Sequence, residues 1–152
     1  MSARMTNPAQ LLPDAMTAIP HLLGAAEQGG LSKELRELVC LRVSQINGCS
    51  ACVHAHAKTL QAEGVADEKI FGVTAWHESP FFGEEERAAL RLAEAATRLA
   101  DAPREAVSDA VWNEAADLFD EKALASLVLT VATINFFNRI NVTIQEPAGT
   151  VW

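Results

Sequence analysis

Residues 32–64 read SKELRELVCLRVSQINGCSACVHAHAKTLQAEG, and this stretch decides the fold. In its first half, Leu35, Leu38, Val39, Arg42, Val43 and Ile46 recur at helical spacing. Leu31-Ser32 supplies a staple residue and an N-cap, and Glu34 falls in the first turn, where a negative charge is favourable. Asn47-Gly48 then stops the helix, because both residues tolerate positive φ. A second helix starts at the cysteine pair and runs to about residue 63, with Gly64 capping its end. The segment therefore predicts two helices packed against each other across a tight turn, with CSACVHAH (residues 49–56) opening the second.

Working outward, Pro8 and Pro13 mark residues 1–13 as irregular. A first helix is expected over residues 14–28, bent or interrupted near Pro20 and ended by Gly29-Gly30. Beyond Gly64, Asp67 is read as the cap of a short helix through residue 75, and HESPFFGEEE as a loop. EEERAALRLAEAATRLA is an amphipathic helix with acids crowding its start. Asp101 and Pro103 break the chain, and REAVSDAVWNEAADLF is a further helix. Asp120 caps the last one, from residue 121 to about 138 or beyond. Its LVLTVATINFF is rich in β-formers, so a buried strand competes; the capped, charged start that leads in without a turn favours helix. The tail EPAGTVW is read as loop. The result is an all-α helical bundle in one domain, residues 1–152.

Composition agrees. The chain has 152 residues, enough for one core, and is 49% hydrophobic with no tyrosine. A formal charge of -8 repels phosphate backbones and anionic lipid, which argues against nucleic acid and membrane as partners. The N-terminal MSARMTNPAQLLPD lacks the apolar run of a signal peptide, and no apolar stretch is read as spanning a bilayer. The expected compartment is the cytoplasm, where three cysteines do not build a disulfide framework.

A metal clip, an inert structural disulfide and a cycling redox pair all remain open for CSACVHAH on spacing alone. Cys49 would sit at a helix N-terminus, where free N–H groups favour a thiolate. Cys52 lies one turn deeper on the same face, and His56 one turn beyond that. Two sulfurs so placed can join and part with little backbone movement, and an imidazole can exchange a proton with the Cys52 thiol. Zinc wants four ligands, and no second cysteine pair is present to complete the set. His54 points away from Cys52, and Cys40 reads as a small buried hydrophobe. Glu37 reads equally as a solvated acid or as a carboxylate that orients His56.

At these residues the sequence resembles the alkylhydroperoxidase D-like proteins of the carboxymuconolactone decarboxylase superfamily. ELVCLRVSQINGCSACVHAHAKTLQAEGV carries the resemblance, with WHESPFFGEEERAALRLAEAAT and INFFNRINVTIQEP in support, across most of residues 31–146. It implies a thiol-dependent peroxidase in which Cys52 attacks an organic hydroperoxide and Cys49 resolves it as a disulfide. It also implies that Glu37 and His56 relay protons to Cys52. The only redox group is the cysteine pair, with no further cofactor or metal. The implied partners are a dithiol reductant, such as a lipoyl-bearing or thioredoxin-like protein, and copies of the chain itself in a homo-oligomer, a trimer or hexamer. Ala51 departs from those members that carry a histidine between the cysteines. Decarboxylase-type chemistry, which does not use a CxxC pair, and a redox-sensing helical oligomer are the competing functions. Trp76 reads as a core or interface residue with an exposed His77, and Asn135, Asn138 and Arg139 as structural groups that satisfy their neighbours.

Overall fold

A computed structural model describes residues 2–150. Met1, Val151 and Trp152, which the one-domain reading and the loop-read tail include, lie outside the described residues. The described chain is helical: α1 (Pro8–Leu11), α2 (Pro13–Glu27), α3 (Lys33–Ile46), α4 (Ser50–Ala62), α5 (Asp67–Gly72), a 3-10 turn (Val73–Ala75), α6 (Glu84–Thr97), α7 (Asp109–Leu118) and α8 (Glu121–Ile144). The strand alternative for residues 127–137 is overturned, since they lie within the 24-residue α8.

The starts of α3, α7 and α8 follow the polar caps. Ser32 Oγ accepts from Leu35 N–H at 3.1 Å, Ser108 Oγ from Val111 N–H at 3.4 Å and Asp120 Oδ1 from Ala123 N–H at 2.8 Å. Four boundaries differ from expectation. Residues 8–11 form a helical turn, because Asn7 Oδ1 caps Ala9 N–H at 2.9 Å and Pro8 sits where its missing N–H costs nothing. α2 continues through Pro20 without interruption. Asp67 is the first residue of α5 rather than its cap, a position Ala66 takes without a side-chain bond. α7 starts only at Asp109; Ser108 takes the cap, and residues 104–107 stay non-helical as turn and bend.

α3 and α4 form an antiparallel hairpin, and α3 and α6 pack across α8. Leu38, Val39, Leu41 and Val43 of α3, Leu60 of α4, Leu90 of α6 and Leu127 of α8 are almost wholly buried in this core. α8 is long and apolar enough, by length and composition alone, to match a membrane span. Half of its apolar window is buried inside the bundle, where it serves as the central helix. Trp76 is fully buried, with its indole N–H donated to Glu94 Oε1 at 2.9 Å, so it is a core residue. The exposed His77 ring stacks on it. Arg42 also donates to Glu94 Oε1, at 2.6 Å, which joins α3 to α6. Partial burial of Glu94 opposes its charge, but the Trp76 and Arg42 hydrogen bonds outweigh that and hold its carboxyl below the usual carboxylate range.

Candidate active site

The site is built at the corner between α3 and α4. Gly48 has φ +68°, a conformation that an L side chain resists, while Asn47 stays right-handed. The corner closes through Cys49 N–H to Ser44 C=O at 3.0 Å. α8 holds it from beneath. Asn47 Nδ2 donates to both Asn135 Oδ1 and Asn138 Oδ1 at 2.9 Å, and Asn138 Nδ2 donates to Ser44 Oγ at 3.1 Å. Arg139 donates to the backbone and side-chain oxygens of Asn135. Asn135, Asn138 and Arg139 thus have the structural role expected of them.

Cys49 is the N-cap of α4, and its Sγ accepts from Cys52 N–H at 3.3 Å. The two sulfurs are joined as a disulfide across a Cα–Cα separation of 5.3 Å. Both cysteines are buried; Cys49 lines an open cleft of about 560 Å³. Gly48 and Ser50 also line it, together with Asn141 of α8 and Gln145 and Pro147 just beyond its end.

One turn after Cys52, His56 Nδ1 lies 2.7 Å from Glu37 Oε2 of α3. A carboxylate offers only acceptors, so Nδ1 carries the hydrogen and Nε2 is left to exchange a proton. Both side chains are about one-fifth exposed. The four residues singled out in the sequence therefore form two joined pairs, Cys49–Cys52 and Glu37–His56, on facing helices. Among the described residues, no direct hydrogen bond links the imidazole to either sulfur of the disulfide. His54 is exposed. Cys40 is a free, half-buried thiol rather than a fully buried one; desolvation, with the charge of Glu37 adding to it, raises its ionisation above the ordinary thiol range, which makes it a poor nucleophile. Among the described residues, no three histidine, cysteine or acidic side chains are grouped to hold a metal ion.

One residue of the site was missed in the sequence. Asn141 Nδ2 donates to Cys52 Sγ at 3.3 Å. The available signal was the recurrence of asparagine every three residues, at 135, 138 and 141, in an otherwise apolar helix.

The model of the carboxymuconolactone decarboxylase family matches residues 13–95. The uncharacterized protein YdfG of Bacillus subtilis is 31% identical over 92% of this chain and 93% of its own. The alkyl hydroperoxide reductase AhpD of Bradyrhizobium diazoefficiens is 42% identical over a shorter match, 38% of this chain and 32% of that one. Among solved structures, ATU0492 of Agrobacterium tumefaciens is a protein of unknown function proposed to be the antioxidant defence protein AhpD. It superposes with a TM-score of 0.89 at 29% identity, over 99% of this chain and all of its own.

Proposed function

The chain belongs to the carboxymuconolactone decarboxylase family, on its alkylhydroperoxidase D-like side, and from that premise we propose that it reduces organic hydroperoxides through the Cys49–Cys52 pair. The observation that carries this reading is the Cys49–Cys52 disulfide, whose Cys49 lines an open cleft, with the imidazole of His56 bonded to the Glu37 carboxylate one turn beyond Cys52 on the same helix.

In the reduced protein the Cys52 thiol gives its proton to His56 Nε2, and Glu37 holds the ring and balances the imidazolium. The Cys52 thiolate attacks the distal oxygen of the hydroperoxide. The O–O bond breaks, and the alkoxide takes the proton from His56 and leaves as the alcohol. Cys52 is now a sulfenic acid, two electrons more oxidised. The Cys49 thiol attacks its sulfur; the S–O bond breaks, hydroxide leaves as water with the Cys49 proton, and the disulfide forms. A dithiol then returns two electrons and two protons by thiol–disulfide exchange. The cleft beside Cys49 suits a narrow dithiol such as a lipoyl arm or the exposed pair of a thioredoxin-like protein. Exposed Leu12 at the start of α2, Met16 and Leu23 on α2 and Val128 and Phe136 on α8 support assembly with further copies of the chain, which we read as a trimer or hexamer.

The test is thiol counting after addition of cumene hydroperoxide to the reduced protein. Two thiols per chain are lost rapidly, and Cys52→Ser abolishes the loss. An undiminished thiol count, or a loss that survives Cys52→Ser, refutes the reading. A redox-sensing oligomer would instead change its elution volume between oxidised and reduced forms without turning peroxide over.

A further inference from the structure

We infer that Asn141 is a second, non-titrating catalytic group, an oriented amide donor that holds the negative charge of the Cys52 thiolate, and that Asn7 is the positioning residue that aims it. The inference rests on the reading of Cys52 as the reactive thiol.

The argument starts at a backbone donor. Ala9 N–H can only donate, and it donates to Asn7 Oδ1 at 2.9 Å. That fixes the Asn7 amide: its oxygen faces α1 and its NH₂ group faces away. Asn7 Nδ2 lies 3.4 Å from Asn141 Oδ1. An NH₂ group can only donate, so Asn141 must present its oxygen there and its own NH₂ group on the other side. That side is Cys52 Sγ, at 3.3 Å. Reversing Asn141 would set two NH₂ groups against each other and an oxygen lone pair against the sulfur. One backbone N–H thereby sets the polarity of two amides and ensures that the sulfur receives a donor.

The setting strengthens the last bond. Asn7 is 6% exposed, Asn141 6% and Cys52 5%. In such surroundings a hydrogen bond to an ionised sulfur is stronger than one to a neutral thiol, so the donor favours the thiolate. The amide has no proton to lose in the working range, which makes its contribution independent of pH. His56 and Asn141 then act in complementary ways, since the imidazole moves the proton and the amide stabilises the charge left behind. The aiming group comes from far along the chain. The segment carrying Asn7 is fastened to the end of α8 by Arg4 N–H to Ile144 C=O at 2.7 Å and Arg4 Nη1 to Thr143 C=O at 3.2 Å. The N-terminal segment is therefore part of the site.

The test reads the ionisation of Cys52 directly. In a Cys49→Ser background, the reduced full-length protein is alkylated with iodoacetamide across a pH series, and the Cys52 peptide is quantified by mass spectrometry. The neighbouring ionisable groups, His56 with Glu37 and Glu146 on the cleft, stay in place in every variant. Asn141→Ala raises the midpoint by about one pH unit, read as about tenfold slower alkylation below both midpoints. Asn141→Asp is nearly isosteric and replaces the donor with a charged acceptor, so it raises the midpoint further. Asn7→Ala shifts it in the same direction by less, because the freed Asn141 amide samples both orientations. A merely structural asparagine would lower thermal stability and leave the midpoint alone. Coincident midpoints in the parent, Asn141→Ala and Asn141→Asp proteins overturn the inference; should the alanine variant not fold, the aspartate variant decides alone. Shifted midpoints in a protein that consumes no peroxide would sink the peroxidase reading and leave this assignment standing, and turnover with coincident midpoints would do the reverse.

Discussion

Replacing Glu37 with glutamine isolates the charge of the proposed relay from its shape. The glutamine Oε1 can still accept from His56 Nδ1–H at the 2.7 Å position, so ring orientation survives and only the negative charge is lost. A hydrogen bond to a charged partner contributes about 1.5–3 kcal/mol, and the one-fifth exposure of both side chains argues for the lower half of that range. The charge matters only while the imidazole is protonated, as Cys52 reacts, so its loss appears in the rate of thiol oxidation. A deficit of about 1.5–2 kcal/mol slows that step about 10- to 30-fold. The assay is a rapid-quench single turnover of reduced protein with cumene hydroperoxide, with thiols per chain counted against time. Glu37→Gln slows the decay while the final loss stays at two thiols, and the thermal midpoint changes little because the pair lies at the edge of the core. His56→Ala is slower still, by about 100-fold or more, and the double variant is no worse than His56→Ala alone. A Glu37→Gln rate within twofold of wild type, beside a slow His56→Ala, would refute the idea that this carboxylate works through the imidazole.

Three further outcomes test the scaffold. Asn138→Ala strips one of two acceptors from Asn47 and leaves the buried Ser44 hydroxyl without its donor, a loss of about 2–3 kcal/mol in urea denaturation; less than half of that would contradict the role given to the α8 asparagines. Gly29→Ala drives a Cβ against Ser126 Cβ and to 2.6 Å from Lys122 C=O, so the end of α2 must lift from α8; a fall in stability of about 1–3 kcal/mol by denaturant titration is expected, and an unchanged midpoint would refute that contact. Glu94 has a folded-state carboxyl below its unfolded value of 4.5, so it contributes stability above that pH and loses it as pH falls through the depressed value. The stability advantage of wild type over Glu94→Gln should therefore shrink on acidification, and an advantage that grows would reverse the assigned sign.

What the sequence disclosed depended on how local the determining contacts are. Ser32, Ser108 and Asp120 cap their helices through bonds spanning three residues, so their capping chemistry was available to a reading of short windows; at Ser32 and Asp120 it was read directly. One helical turn puts Cys49 and Cys52 within joining distance, but spacing alone left a metal clip open; the disulfide itself is the structure's finding. By contrast, Glu37 and His56 stand 19 residues apart on two helices, and their contact depends on how α3 and α4 cross. Spacing alone could not separate Glu37 from its neighbour Glu34, which pairs with Lys69 instead; the family resemblance did. Asn141 reaches Cys52 across 89 residues, and Asn7 reaches Asn141 across 134. Nothing in a short window carries that information. The boundary differences have a local cause too. Residues 104–107 continue the apparent helical pattern, yet Ser108 takes the cap and the helix starts after it.

The asparagines of α8 also explain how the site survives its own chemistry. Opening a disulfide removes a covalent constraint from the first turn of α4, and a corner held by that bond alone would relax each time it opened. Here the corner is held independently. Asn135 and Asn138 fix Asn47, Asn138 fixes Ser44, and Asn141 meets Cys52, so three residues spaced by three on one helix face grip both sides of the Gly48 turn. Burying three amides in an apolar helix is unfavourable unless each finds partners, and each does. Apolar replacement of these asparagines together with their partners Asn47 and Ser44 would pack there at comparable stability, but it would leave the turn free to drift once the sulfurs part. The polar face is thus best understood as holding geometry through the redox cycle. Its signature would be similar hydrogen-exchange protection at Cys49 and Val53 in oxidised and reduced wild type, against a large loss of protection on reduction in Asn138→Leu. A wild-type corner that frays on reduction as readily as the variant would show that the disulfide alone holds it.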